Sequence, residues 1–283
     1  MPNTATDQHR VLVAGGTGKT GSRIVARLRA GGYPVRVGSR TTDIPFDWAD
    51  PSTWTEAMAG VRVAYLAFQP DLAIAGAAEA IRAFAAAAGH AGVRKLVLLS
   101  NRGSAETVQC EQMVRESGLD WTILRGSFFA QNFSEGSLTE QILAGTVALP
   151  VNDVPEPFVD VDDIADVAVA ALTTDEHNSE IYELTGPHAM TFTEAVAQIA
   201  TATGRPIAFV PISRADFAAG LTAHGVPADM VNVLDHVFST LLDGRNAEPM
   251  DGVRRALGRE PKSFTDYVTR TAAAGVWNTS TQL

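Results

Sequence analysis

Three glycines near the start of the chain have the spacing of a turn that binds phosphate. Gly15, Gly18 and Gly21 follow the apolar run Val11–Ala14 and precede a segment with helical spacing of apolar residues. A strand that leads through glycines into a helix directs backbone N–H groups and the positive end of the helix at one place. The first glycine permits the tight turn, the second lets a ligand approach the backbone, and the third lets the helix pack closely on the strand. The pattern predicts a site for the pyrophosphate of a dinucleotide, to which we also assign Thr17, Lys19 and Thr20.

This turn has two other interpretations. The tripeptide Gly18-Lys19-Thr20 matches the end of a P-loop, but that motif requires a glycine five residues before Gly18, where the chain has Val13. The P-loop interpretation is therefore excluded. A tight turn that binds no ligand is the remaining alternative.

The residues after the second predicted strand indicate which dinucleotide binds. Sites for NAD usually place an acidic side chain there, on the ribose 2′-hydroxyl. This chain has Ser39 and Arg40 instead. Because a guanidinium can bind a 2′-phosphate with two hydrogen bonds and Lys19 adds positive charge, the pattern favours NADP(H). The alternative is an Arg40 side chain that meets only solvent.

The elements that must hold these residues alternate along the first half of the chain. Short apolar runs predict strands, and one segment between them has the three- and four-residue apolar spacing of a helix that covers a sheet. The predicted strands are Val11–Ala14, Val35–Val37, a short and weak Ile44–Phe46, Val61–Ala67, Leu96–Leu99 and Trp121–Leu124, and the helix carries Ala77, Ile81, Phe84, Ala85 and Ala88. The alternation predicts an α/β fold of the Rossmann type, a doubly wound parallel sheet with crossover helices.

The second half of the chain has a different rhythm. After Arg125 the loops lengthen and contain more glycine and proline, so we expect the substrate side to begin there. Residues 1–150 are expected to form the NADP-binding Rossmann domain, with later strands and helices to about residue 212 packed on it. Residues 151–283 are expected to form mainly a smaller C-terminal α/β lobe that binds substrate. The segment from Ser213 to Gly252 contains no motif that predicts its role.

Capping signals predict two helices in this half. Asp162 or Asp163 can cap a helix, and we interpret the surrounding acidic run as capping and solvated surface rather than a metal cluster. Thr191 and Glu194 have the spacing of a capping box, which predicts a helix through Ile199 that ends by Gly204. The stripe of the first helix would be Ile164, Val167, Ala168, Ala171 and Leu172.

Composition narrows the class of partner. The net charge of −10 and the pI of about 5.0 create a field that repels nucleic acid and anionic lipid. No stretch resembles an export signal or a membrane helix, so we expect a cytoplasmic protein with an apolar small-molecule substrate and no nucleic-acid or membrane partner. The sequence leaves a homo-oligomer open. The single cysteine, Cys110, excludes an internal disulfide and a cysteine-rich zinc site, and we expect no metal and a thiol buried in a helix.

Several stretches together resemble one family, the NmrA-like atypical short-chain dehydrogenase/reductases. They are residues 15–21, Leu98-Leu99-Ser100, residues 117–125 and residues 128–133, and the similarity extends over residues 10 to 212. Residues 46–50, Thr53-Trp54 and residues 158–172 are similar to the ergot-alkaloid branch, the festuclavine and agroclavine dehydrogenases. The resemblance implies reduction of a cyclic iminium with NADPH. Other members of the family are NAD(P)H:quinone oxidoreductases and redox-sensing regulators.

The resemblance also implies which positions meet the coenzyme and the substrate. Phe128 and Phe129 would lie near the nicotinamide ring and the substrate, with Asn132 at the rim, although a core role is the alternative for the two phenylalanines. Along the coenzyme the implied positions are Phe46, Asp47 and Trp48 at the adenine, Ala67, Phe68, Gln69 and Pro70 along its middle, and Ser100 and Asn101 near the nicotinamide ribose.

One usual part of short-chain dehydrogenase chemistry is missing. These enzymes protonate the substrate oxygen with a tyrosine that has a lysine four residues later. No tyrosine of this chain has that lysine; the four are Tyr33, Tyr65, Tyr182 and Tyr267. An iminium already carries the positive charge that attracts hydride, and its product is a neutral amine, so that step needs no acid.

The leading hypothesis is therefore an NADPH-dependent oxidoreductase that transfers hydride to a cyclic imine or iminium of an apolar, aromatic or polycyclic secondary metabolite. The protein would position the coenzyme and exclude water. Ser100 is the one candidate catalytic side chain, with a structural role as its alternative. A quinone or enone reductase is the alternative within the enzyme class, and a non-catalytic, NADP-binding redox-sensing regulator is the alternative outside it.

Overall fold

A six-stranded sheet is the central element of the fold. The computed structural model describes residues 9–103 and 105–279, so the expectation that residues 1–10 contain no export signal concerns residues that lie mostly outside the described ones. The strand order is β2-β1-β3-β4-β5-β7, and the pairs β1–β2, β1–β3 and β3–β4 are parallel. These strands are β1 Arg10–Ala14, β2 Val35–Gly38, β3 Val61–Leu66, β4 Lys95–Asn101, β5 Asp120–Gly126 and β7 Glu180–Leu184. The predicted α/β fold of the Rossmann type is confirmed.

Helices connect the strands and follow them. A separate parallel pair consists of β6 Thr146–Leu149 and β8 Ala208–Pro211. The helices are α1 Lys19–Ala30, α2 Trp54–Met58, α3 Ala77–His90, α4 Ala105–Arg115, α5 Ser137–Ala144, α6 Val161–Thr173, α7 Phe192–Thr203, α8 Arg214–Ala223, α9 Ala228–His236, α10 Gly252–Leu257 and α11 Phe264–Ala273. Among the described residues, no helix has the length and apolar character needed to cross a bilayer.

The chain packs into two compact units. The first contains residues 1–125, 164–182 and 255–258, and the second contains residues 126–163, 183–254 and 259–283. The second unit therefore begins directly after Arg125. The domain boundary near residue 150 stays a prediction.

The core of the first unit lies on the sheet and under α3. Residues 11–14 of β1 are completely buried, as expected for a central parallel strand covered on both faces. The predicted apolar stripe of α3 is buried along its whole length. The ring of Phe84, one residue of this stripe, packs against Phe46, Trp48 and Trp54, with ring centroids 5.1–5.7 Å apart.

The weak strand predicted at Ile44–Phe46 is wrong. The Thr42 hydroxyl donates to the carbonyls of Ser39 and Ile44, at 2.9 and 2.8 Å, and the N–H of Phe46 donates back to Ser39. These bonds close a loop. An apolar run of three residues is too short to outweigh this local turn chemistry.

The second unit has an aromatic core and two capped helices. Phe133, Phe158, Phe192 and Phe264 pack together with centroid separations of 5.1–6.0 Å. Helix α7 has the predicted capping box at its start and the left-handed Gly204 at its end.

The predicted cap of α6, Asp162 or Asp163, is wrong by two or three residues. The helix begins at Val161, and the residue before it, Asp160, accepts a hydrogen bond from the N–H of Asp162 at 2.9 Å. Asp160 and Asp163 are also buried, so the interpretation of this run as solvated surface fails for both. The predicted stripe of α6 is confirmed as buried.

Candidate functional site

The glycine turn between β1 and α1 is shaped by close backbone contacts. Gly15 has a φ of +78°, in the left-handed region that favours glycine. A Cβ atom on Gly21 would lie 2.2 Å from the carbonyl oxygen of Gly15, which no side chain can tolerate. A Cβ on Gly18 would meet only that same oxygen, at 3.3 Å. Gly21 is therefore required for packing, whereas Gly18 leaves one side of the turn open.

The start of α1 suits an anion. Gly18 is the N-cap residue and supplies no side-chain oxygen, and the first turn of the helix contains no acidic residue. The first N–H groups of a helix lack partners within it and carry the positive end of its dipole. The donor set and the open side at Gly18 therefore fit the pyrophosphate of a dinucleotide.

The parallel register brings three strand ends to the same edge. Ala14 of β1 lies opposite Leu66 of β3, which lies opposite Leu98 of β4. The Gly-rich turn, Ala67 and Ser100 follow these positions directly or within two residues. Because β1 lies between β2 and β3, this edge contains the switch point where open α/β sheets bind their ligands.

Exposed hydroxyls surround the end of β2. The Thr17 hydroxyl donates to Ser39 Oγ at 3.3 Å, and Ser39 Oγ lies 3.3 Å from Thr41 Oγ1. Arg40 lies between Ser39 and Thr41 in the sequence, and its side chain is exposed. Thr41 was not among the predicted residues, because a single threonine in a turn gives no signal before the turn is folded.

Other predicted phosphate contacts are oriented differently. The side chain of Thr20 is buried and accepts a hydrogen bond from the Tyr65 hydroxyl at 3.0 Å, so only its backbone faces the turn. Burial raises the pKa of Tyr65. Lys19 is half-buried at the first position of α1.

The residues expected at the adenine and along the coenzyme differ in exposure. Phe46 and Trp48 are buried in the aromatic cluster around Phe84, and the Trp48 Nε1 donates to the carbonyl of Ala67 at 3.0 Å. Asp47 is half-buried. Ala67 and Phe68 are half-buried, and Gln69 and Pro70 are exposed. Their roles at a coenzyme stay predictions.

The carboxylate of Glu111, which the sequence did not predict as part of the site, is buried beside the end of β4. The Ser100 hydroxyl donates to Glu111 Oε1 of α4 at 2.7 Å. Arg125, in β5, binds both carboxylate oxygens of Glu111 at 2.8 and 2.6 Å. The neighbouring Asn101 accepts a hydrogen bond from the Thr107 hydroxyl at 3.0 Å.

The predicted substrate residues lie in the second unit. Phe128, Phe129 and Asn132 are all half-buried. The N–H of Phe128 donates to the buried carboxylate of Glu156 at 2.9 Å, and its ring contacts Phe192 with centroids 5.3 Å apart. Phe128 thus packs on the core of the second unit, and the roles of all three residues at a substrate stay predictions.

A family match accompanies this geometry. The NmrA-like family matches residues 7–269 of the chain. The chain belongs to the NmrA-like family. It is 32% identical over 278 residues to the uncharacterized oxidoreductase YesF of Bacillus subtilis, covering 94% of this chain and 96% of that protein.

One further relative and one solved structure similar to this NmrA-like protein have more specific names. It is 29% identical to an agroclavine dehydrogenase of Claviceps fusiformis, over 92% of this chain and 96% of that one. Its fold matches the triphenylmethane reductase of Citrobacter sp., solved with NADP(H), with a TM-score of 0.75 at 18% identity over 93% of this chain and 99% of that one.

The NmrA-like chain also contains an ionic network around two buried carboxylates, here called the Asp160/Asp163 network. Asp160 accepts from Gln131 Nε2 at 2.8 Å and from Arg270 at 2.6 Å. Asp163 binds the side chains of Lys262 and Arg259, each at 2.8 Å. Sequence reasoning missed these pairs because their members are 29 to 110 residues apart. In the described part of the chain, no group of three or more His, Cys, Asp or Glu side chains could hold a metal ion.

Three tyrosines and the cysteine are engaged in packing. The Tyr182 hydroxyl lies 2.9 Å from His177 Nδ1, and burial raises the pKa of Tyr182 and of Tyr267. Tyr33 stacks obliquely against His9, with centroids 6.1 Å apart. Cys110 is buried in α4 as predicted, and burial raises the pKa of its thiol to about 11.

Proposed function

We propose that this chain is an NADPH-dependent oxidoreductase that transfers hydride to a cyclic imine or iminium of an apolar, aromatic or polycyclic compound. The observation that carries the proposal is the open glycine turn at the uncapped start of α1, with Arg40 and exposed hydroxyls at the end of the next strand. The catalytic part rests on the sequence, in which no tyrosine has a lysine four residues later.

The preference for NADP(H) follows from charge at the end of β2. A 2′-phosphate needs cationic and hydroxyl donors, and Arg40, Ser39 and Thr17 offer both. A ribose with a free 2′-hydroxyl would instead be favoured by an acidic side chain, which neither position 39 nor position 40 supplies. The Citrobacter triphenylmethane reductase, which shares the fold, was solved with NADP(H).

The choice of an iminium depends on whether the product of hydride transfer needs a proton. Hydride addition to a carbonyl leaves an alkoxide that needs a proton, whereas hydride addition to an iminium leaves a neutral amine. A neutral cyclic imine would react in its protonated, iminium form, with the proton taken from solvent before the hydride transfer. Two of the tyrosine hydroxyls are directed inward, since Tyr65 donates to Thr20 and Tyr182 pairs with His177. The relationship to agroclavine dehydrogenases supports the same choice.

Phe128 and Phe129 are proposed to bind the substrate. Their half-buried rings suit a flat apolar molecule, and the face of an aromatic ring attracts a cation. The bound coenzyme would supply the hydride, while the chain would hold the two reactants in place and exclude water.

The test is turnover with a panel of acceptors. Purified protein is mixed with NADPH and either cyclic imines or quinones, and the absorbance of the reduced nicotinamide is followed. We expect consumption with imines. Consumption with quinones only would replace the proposal with the quinone or enone reductase, and binding of NADPH without turnover on either class would favour the regulator.

A further inference from the structure

The Ser100 hydroxyl has its proton committed inside the protein. Its oxygen lies 2.7 Å from Glu111 Oε1 and 3.5 Å from the carbonyl oxygen of Asn101. Both of these atoms accept hydrogen bonds. A hydroxyl has a single proton and two lone pairs, so donation to either neighbour leaves Ser100 only able to accept from a third group.

Arg125 fixes this polarity. Its Nε and one terminal nitrogen bind both oxygens of Glu111, in the two-bond geometry of a guanidinium with a carboxylate. A carboxylate held in this way has no proton to give. Glu111 therefore cannot reverse the hydrogen bond, and Ser100 cannot act as a proton donor.

The position of Ser100 indicates what it meets. It lies on β4, two strands from the glycine turn on β1, and neighbouring strands are about 4.8 Å apart. From a pyrophosphate on that turn to the end of β4 is thus about 10 Å, a distance that a ribose and a pyridine ring in series span.

We propose that Ser100 accepts a hydrogen bond from the carboxamide N–H of the nicotinamide, and that Glu111 and Arg125 are positioning residues that set this polarity. The inference rests on the proposed coenzyme site. It assigns Ser100 a binding role in place of acid catalysis and explains why a buried carboxylate, paired with Arg125, lies beside the end of β4. The site selects rings that carry an N–H donor over rings that carry only an acceptor.

A coenzyme analogue tests the inference without turnover. The probes are NADP⁺ and its 3-acetylpyridine analogue, in which a methyl ketone replaces the carboxamide and the N–H donor is lost. Affinities are measured by calorimetry. We expect the wild-type protein to prefer NADP⁺ by about fivefold to tenfold, the worth of one hydrogen bond.

Two variants and their combination complete the test. S100A should abolish the preference. E111Q should reduce or invert it, because the glutamine amide can donate to Ser100 and free the hydroxyl proton for the ketone. In the S100A background, E111Q should have no further effect on the ratio of the two affinities. If Glu111 had a merely structural role, E111Q would change this ratio with or without the Ser100 hydroxyl.

The outcomes separate the two proposals. If calorimetry detects no NADP⁺ binding to the wild-type protein, the proposed function is overturned. NADP⁺ binding with equal affinity for the analogue, or an unchanged ratio in S100A, would overturn this inference alone. S100A removes one oxygen atom and keeps the backbone, so it decides the matter even if E111Q does not fold.

Discussion

The glycine turn of the first unit and the Asp160/Asp163 network of the second are built in opposite ways. The turn consists of consecutive residues, and its donors are backbone N–H groups that any sequence has. The network consists of side chains that come together only when distant parts of the chain fold, such as Asp163 and Lys262, 99 residues apart. A site built from backbone can be predicted from spacing alone, whereas a site built from paired side chains cannot.

The largest effect is expected at Gly21, where the turn tolerates no Cβ. Gly21→Ala would place that atom 2.2 Å from the Gly15 oxygen, so the helix must shift. We expect the free energy of unfolding to fall by about 3 kcal/mol and coenzyme affinity to be lost. Denaturant titration and calorimetry measure the two quantities.

Gly18→Ala is the matched control, since its Cβ would meet only one atom at 3.3 Å. Its free energy of unfolding should fall by about 1 kcal/mol, since alanine is a poorer N-cap residue than glycine, which is well below the loss expected at Gly21, while NADPH binding weakens. Equal losses of stability in both variants would contradict the division of roles between the two glycines.

The next effect is expected in the Asp160/Asp163 network. Asp163→Asn removes the buried charge that binds Lys262 and Arg259, and we expect a loss of about 2 kcal/mol in the free energy of unfolding, reduced because both cations are partly exposed. Asp162→Asn is the control, because Asp162 is half-buried and lies 3.8 Å from Arg270. An equally large fall in the free energy of unfolding of the Asp162→Asn control would show that the buried charge of Asp163 contributes no more than a half-buried one.

A smaller effect separates the two coenzymes at the turn. Arg40→Ala should lower affinity for NADPH by about tenfold and leave NADH nearly unchanged, because only NADPH has the 2′-phosphate. Arg29→Ala, which removes another exposed arginine of the first unit, should affect neither. Equal losses for both coenzymes in Arg40→Ala would remove the reason for choosing the phosphorylated one.

The smallest effect concerns His177 and Lys95, two residues of the first unit that lie far apart in the sequence. Burial and then the nearby Lys95 lower the pKa of His177 below its ordinary 6.5. Between the lowered pKa and 6.5 the unfolded chain binds a proton that the folded chain does not, so the free energy of unfolding should fall as pH decreases below 6.5. His177→Asn should flatten this slope in denaturant titrations at pH 5.5 to 7. An unchanged slope would assign it to other groups.

Local rules predicted much of the fold. Strands β1 to β5 and helices α3 and α7 followed from apolar spacing and caps, because each is decided by residues within one element. Both failures come from polar side chains whose hydrogen-bond partners the spacing of apolar residues does not reveal. The loop after Ser39 is closed by the Thr42 hydroxyl, and α6 is capped by Asp160, which also binds Gln131 and Arg270.

The candidate site shows the same division. Spacing predicted a coenzyme site at the glycine turn and the end of β2, but it did not reveal that the side chain of Thr20 is buried against Tyr65. It also missed Glu111 as the partner of Ser100. The pairing depends on the packing of α4 against the end of β4, which no single stretch of sequence encodes.

The hydrogen bond between Trp48 and Ala67 places a fluorescent side chain beside the proposed coenzyme site. The indole donates its N–H to the carbonyl of a residue that packs against Gly15, at 3.0 Å, and so its ring is attached to the strand end where a reduced nicotinamide coenzyme would pass. Reduced nicotinamides absorb where tryptophan emits. Ultraviolet excitation of the unlabelled protein should therefore reveal docking through energy transfer, and a tryptophan-to-phenylalanine change at position 48 would dim that signal.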